Sequence, residues 1–286
     1  MIEDYTGTSL RELKKENKFY VPHLNTINNL NNIYFVTELA REAIIKKRED
    51  LINENDHDIE IDYPDINGDL KKVTRSKSKA VKILKRSIRH DLYANSLISS
   101  VAATEGFMEQ IVQMCLLKDP RRLSHSVKKQ SRKGKLSEPE IEVKIDDSTI
   151  PLRGLLEANN FEDLYSGVIQ DKLYQLMYAS PADHFGYLKI ALGIEILSDV
   201  RDAYVEIKAT RDLLTHSQGI VNEIYMSKAG INGRVKKTGR FIPLSSEYFS
   251  QSVGLMKRLV GDIYVQASME YLGIKNKIEL YPNKRS

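Results

Sequence analysis

Apolar residues recur every three to four positions through most of the chain, the spacing of helices that bury one face. In residues 25–52, Ile33, Val36, Ala40 and Ile44 keep that spacing and predict a helix from about Asn29. No proline falls between Pro64 and Pro120, and residues 76–117 predict one long helix or two nearly continuous ones. The second half, DLYANSLISSVAATEGFMEQIVQMCLL, is apolar enough to be core. Further helices are predicted over about 151–158, 161–179, 181–192 and 198–218, and from Ser245 or Ser246 to about Leu272. Pro181 stands at a helix start, where a missing N–H costs nothing. Period-two alternation is confined to three short stretches that predict hairpins: DIEIDYPDINGDLKKV, EIEVKIDDSTIPL around Asp146-Asp147-Ser148, and GRVKKTGRFIPL turning at Thr238-Gly239. The expected fold class is all-α, an antiparallel helical bundle with short β-hairpin insertions. Residues 1–75 are expected to form an N-terminal helical extension with an acidic strand or turn. Residues 76–275 form the main helical domain, with a basic loop at 118–137 and hairpins near 140–152 and 233–244, and residues 276–286 a tail.

Charge changes this picture by its distribution more than by its sum. Forty-three Lys and Arg against 39 Asp and Glu leave a net +4. Residues 49–69, however, hold nine acids and no base, residues 71–90 nine bases and no acid, and residues 118–135 eight bases against Asp119. Basic runs of this kind track a phosphate backbone or form a solvated face. Lys82, Lys85, Arg86 and Arg89 are the residues of the first basic run expected to contact RNA. The single Cys115 excludes an intrachain disulfide and a Cys-rich zinc site. With no signal-peptide core and no membrane-length apolar run, a cytoplasmic protein without membrane contact is expected. Asp56, His57, Asp58, Glu60 and Asp62 fit no recognised metal loop, and no P-loop, dinucleotide fingerprint or nucleophile elbow occurs. No metal and no cofactor are expected. His90, His125 and His184 read as surface or helix-face residues.

One helix carries chemistry against its own pattern. In ATRDLLTHSQGIVNEIY, residues 209–225, Arg211 falls inside the apolar stripe of Val200, Ala203, Tyr204, Ile207 and Leu214. A guanidinium stays charged, so on an apolar face it calls for a carboxylate or a phosphate. Glu105 sits in the middle of the corresponding stripe of the long helix, between Val101 and Met108, and is expected to orient Arg211. Gly219 fits the left-handed position after the helix end, with Ile220 folding back on Leu214. His216 then lies in the final turn, with Asp212 one turn earlier to hold its ring. Arg201, Lys208, Asp212 and Thr215 line a polar arc between Arg211 and His216.

RDLLTH, Arg211 to His216, resembles the ribonuclease motif of the HEPN superfamily: an Arg, a polar residue, three variable residues and a His. ALGIEILSDVRDAYVEIKATRDLLTHSQGIVNEIYMSKAG is similar to the bacterial defence and toxin type of that superfamily. ATEGFMEQIVQMCLLKDPRRL is similar to its acidic-residue helix. The resemblance spans about 94–230. The chain has Gln218 where one toxin branch carries a Tyr. The resemblance implies a HEPN-like helical bundle, a homodimer and metal-independent endoribonuclease activity. It implies Arg211 and His216 as the catalytic pair and Asp212 as the polar residue between them; from the helical pattern, Glu105 and Thr215 are expected to support them and Lys208 to contact RNA. RNA, a second copy of the chain, and an antitoxin or other defence protein are the partners it implies. The alternative is a non-catalytic HEPN module that binds nucleic acid or a partner protein.

Overall fold

The structure is a computed structural model, and it describes residues 17–53, 58–127, 143–145, 161–177 and 180–274. Helix α1, Tyr20–Asn53, begins nine residues before the predicted Asn29. Pro22 lies in its first turn, where a proline removes no intrahelical bond. The start is fixed from outside the helix. The Asn17 carboxamide accepts from Phe19 N at 3.0 Å and donates to Tyr264 Oη and Ser268 Oγ, both at 3.1 Å. No hydrophobic period marks such a tie, which is why residues 20–28 read as non-helical.

Strands β1, Ile59–Pro64, and β2, Leu70–Arg75, form the first predicted hairpin, antiparallel with Ile61 opposite Val73. The acidic and basic blocks meet here: Lys71 reaches Asp65 at 2.7 Å and Lys72 reaches Glu60 at 3.6 Å. Helix α2, Lys77–Arg86, passes through one π-helical turn, Ser87–Asp91, into helix α3, Leu92–Lys118. A 3₁₀ turn, Pro120–Ser124, follows, then strand β3, His125–Val127. Part of the expected basic loop is therefore ordered secondary structure. Strand β4, Val143–Ile145, pairs antiparallel with β3. The strand predicted to pair locally around Asp146 thus joins a segment some eighteen residues upstream. The rest of that hairpin, the helix at 151–158, residues 128–137 and the tail 276–286 lie outside the described residues.

Helices α4, Phe161–Met177, α5, Pro181–Leu192, and α6, Ser198–His216, follow in the predicted order. Ser180 caps α5 by accepting from Asp183 N at 3.2 Å, with Pro181 just inside. Helix α7, Glu223–Ala229, is short and ends in a 3₁₀ turn, Gly230–Asn232. Helix α8, Ser246–Leu272, is capped by Ser245, whose Oγ accepts from Tyr248 N at 3.1 Å. The hairpin predicted at 233–244 does not form. Residues 239–242 pair instead with 219–221, described below.

Helix α3 is the axis of the fold. It packs against α1, α4, α6 and α8, and this enclosure accounts for its apolar second half. Val101, Ile111, Val112, Cys115 and Leu116 are wholly buried, each large one contributing about 1.5–3 kcal/mol before conformational entropy is counted. Burial pushes the Cys115 thiol up to about 12, so it behaves as an apolar residue. The described residues are mainly helical, and no helix among them is long and apolar enough to cross a membrane.

Candidate active site at the end of helix α6

Helix α6 crosses α3 so that Glu105, in the middle of α3, faces Lys208 and Arg211, one turn apart on α6. Glu105 accepts from both, with one oxygen on Lys208 Nζ and the other on Arg211 Nη2. Arg211 Nη1 also donates to Asp212 Oδ1 at 3.0 Å, and the other oxygen of Asp212 accepts from Lys228 Nζ of α7 at 2.8 Å. Three cations and two carboxylates therefore form one chain of contacts across three helices. The Glu105, Arg211 and Asp212 side chains are 24%, 22% and 21% exposed, so the guanidinium lies at the edge of the core with solvent beside it.

These contacts redistribute the expected roles. Lys208 is held by Glu105 and is not a free cation on the polar arc. Asp212 holds Arg211 and Lys228, not the His216 ring. Thr215 is exposed and donates from Oγ1 to Arg211 O at 3.0 Å, a bond within its own helix. His216 is exposed and has no hydrogen-bond partner among the described residues. Lys82, Lys85, Arg86 and Arg89 are exposed on α2 and the π turn, and Arg86 Nε donates to Asp91 Oδ1 at 3.1 Å.

Two further groups belong to this cluster. His184 of α5 lies close enough for the charges of Lys208 and Glu105 to act on it, and its Nε2 is buried without a partner. Burial lowers its pKa to about 4, Lys208 pushing the same way and Glu105 opposing. The Tyr204 hydroxyl, which senses Glu105, Arg211 and Asp212, is also unpartnered, and burial raises it well above its ordinary range. Sequence reasoning placed His184 on a helix face because its neighbours on α3 and α6 are distant in the chain.

The helix end is built with unusual firmness. Gln218 and Gly219 both take positive φ, +51° and +78°, and Gly219 N donates back to Leu213 O at 3.0 Å. Ile220 does not fold onto Leu214. It is exposed and sits opposite Phe241 in an antiparallel bridge. Ile242 N donates to Gly219 O, Val221 N to Arg240 O and Gly239 N to Val221 O, each at 2.8 Å. This pairing uses the strand that the sequence predicts for a hairpin at 233–244.

The strip that clamps the helix end is itself tied to α6 through Glu206, a residue that lies off the apolar stripe of that helix. Its carboxylate is almost fully buried and accepts from Thr210 Oγ1, Tyr225 Oη and Tyr248 Oη at 2.8 Å and from Arg234 Nε at 3.0 Å. The Arg234 guanidinium lies 3.5 Å from the Tyr248 ring centroid and donates to Pro243 O at 2.6 Å. Charge on Glu206 is thus matched by one cation and three hydroxyls. The tyrosines at 225 and 248 and the arginine at 234 gave no common period that could have shown it.

Chemically, the cluster offers a fixed guanidinium at the surface of the bundle and an exposed, unengaged imidazole at a rigid helix terminus. Among the described residues no group of three or more His, Cys, Asp or Glu gathers to hold a metal ion. Comparison with protein families, characterised proteins and solved structures finds no match to this chain.

Proposed function

We propose that the chain is a HEPN-type endoribonuclease that cuts RNA by transphosphorylation, with Arg211 and His216 in the reacting positions. The observation that carries this reading is the pairing of a half-buried Arg211, oriented by Glu105, with an exposed and unengaged His216 at a clamped helix end. In this reaction the ribose 2′-oxygen attacks phosphorus, the bond to the 5′-oxygen breaks, and products end in 2′,3′-cyclic phosphate and 5′-hydroxyl. The 2′-hydroxyl gives its proton to a base, and the departing 5′-oxygen takes one from an acid. Arg211 suits the phosphate oxygens, because its fork donates to two of them at once. Glu105 acts through Arg211 as a positioning residue. His216 suits proton transfer, its imidazole offering one ring nitrogen to donate and one to accept. One chain offers one accessible imidazole at this helix end. A two-fold pair of chains supplies the second, so that acid and base come from two copies. A toxin or phage-defence role, with an inhibitory or activating partner protein, goes with this reading.

A second reading has its own support. Arg211 is already engaged by Glu105 and Asp212, as a structural arginine in a non-catalytic nucleic-acid-binding or partner-binding module would be. One experiment separates the two. Purified chain is incubated with RNA in EDTA beside the Arg211→Ala and His216→Ala variants. The catalytic reading expects full activity in EDTA, cyclic-phosphate ends, and a loss of about 10²–10⁴-fold in either variant with the melting temperature retained. Cleavage that survives His216→Ala unchanged, or no cleavage by the parent chain, removes it.

A further inference from the structure

The turn that carries His216 is covered by an aromatic side chain that the cleavage chemistry does not use. Phe241 is 51% exposed, although it is a large apolar ring. Its edge lies on Gly219: a Cβ there would stand 3.2 and 3.3 Å from two ring carbons, and 3.5 Å from His90 Nε2. Gly219 has no side chain, so the ring can rest on the backbone three residues beyond His216. His90 supports the ring from the π turn, with centroids 4.4 Å apart and planes tilted by 51°. Asp91 Oδ1 lies 3.1 Å from His90 Nδ1 and fixes the imidazole. The ring is thus held in place before any ligand arrives.

Apart from Asp91, which is paired with His90 and Arg86, the charged residues next in the chain are basic. Each ring follows an arginine in the chain, Arg89 before His90 and Arg240 before Phe241, and both arginines are exposed without an acidic partner among the described residues. Lys237, in the same loop as Arg240, is exposed and also unpaired among them. Helix α2, with exposed Lys82 and Lys85, runs directly into the π turn that supplies His90. The basic face therefore leads to the aromatic ring and to the end of α6. A polyanion with an exposed ring of its own fits both the basic face and the aromatic ring.

We propose that Phe241 is a stacking platform for one unpaired nucleobase of single-stranded RNA, with the flanking phosphates held by Arg89 and Arg240. The inference rests on the reading of the α6 end as an RNA-cleavage site and adds its substrate class. Bases in a duplex present no free face to such a ring, whereas an unpaired base does, with little dependence on its identity.

The test uses the full chain carrying His216→Ala, so that RNA is bound and not consumed. A short single-stranded RNA containing 2-aminopurine is titrated by fluorescence, beside the same strand annealed to its complement. The single strand is expected to bind with quenching and the duplex to bind without it. Phe241→Leu keeps apolar bulk over Gly219 and His90 but removes the aromatic face. It is expected to abolish the quench and weaken binding roughly five- to a hundredfold, while Phe241→Tyr retains both. Unchanged affinity and quench in Phe241→Leu overturn the proposal, and so does absence of single-strand binding. Conversion of a dimer to a monomer by Phe241→Leu, with RNA affinity intact, overturns it in favour of contact with a second copy. A parent chain that binds and quenches but cuts no RNA removes the cleavage reading and leaves the platform. A parent chain that cuts, with Phe241→Leu unaltered in kcat/KM and quench, removes the platform and leaves the cleavage reading.

Discussion

Two carboxylates, Glu206 of helix α6 and Glu105 of the α3 helix that crosses it, each meet an arginine, but the surroundings differ. Glu206 lies within the core, and every donor around it belongs to the protein at ordinary hydrogen-bond length: Thr210, Tyr225, Tyr248 and Arg234. Glu105 lies at the core edge between Lys208 and Arg211, with two unpartnered polar atoms close by, His184 Nε2 and Tyr204 Oη. A fully satisfied buried network holds a fold together. A half-open one that leaves polar atoms without partners costs stability, and such a cost is retained where the groups serve a ligand or a reaction.

The largest effect should come from the enclosed carboxylate. Glu206→Ala leaves the half-buried Arg234 and the Tyr225 and Tyr248 hydroxyls without their acceptor. It is expected to cost about 3–5 kcal/mol, read as a drop in the urea midpoint. If it costs no more than a surface substitution, Glu206 is not the structural member of the pair. Acid should act next, and on the open cluster. Folded His184 has its pKa lowered to about 4 from an ordinary 6.5, so the unfolded chain takes up the proton first. The stabilising effect is complete above pH 6.5 and is lost as the pH falls towards 4, by an amount on the order of 3 kcal/mol. His184→Gln should flatten the pH dependence of the urea midpoint in that window. His23, stacked on Tyr264 at 4.3 Å and lowered to about 4 by burial, should contribute to the slope that remains. An undiminished slope in His184→Gln would place that imidazole outside the core. The smallest stability change belongs to Glu105→Ala, about 1–2 kcal/mol, because its partners can turn to water. RNA cleavage should nevertheless fall by about tenfold or more as Arg211 loses its orientation. A stability loss as large as that of Glu206→Ala, with cleavage intact, would make the two carboxylates alike.

The contrast also explains what the sequence made legible. Glu105 and Arg211 each interrupt an apolar stripe, so their pairing could be anticipated from two separate helical patterns. Helix α6 and its glycine stop were visible for the same local reason, as were the helix starts at Pro181 and Ser245. Glu206 was not, because its partners come from 225, 234 and 248, none of which lies on a common period. The stretch at 239–242 was legible as one that pairs, yet its partner was not. Alternation reports one exposed and one covered face, and it carries no record of which backbone lies alongside. Lys208 read as a free cation because nothing on α6 shows that Glu105 has a second oxygen to share.

The clamp on the far end of α6 has a mechanical consequence. Helix termini ordinarily fray, and a side chain in a fraying turn samples a wide cone. Here the amides of Val221, Gly239 and Ile242 tie the terminus to a strip whose anchor is a carboxylate ten residues upstream. The swing of the His216 ring is therefore set by a group buried in the interior, and loosening that anchor would blur the position of an imidazole it never touches.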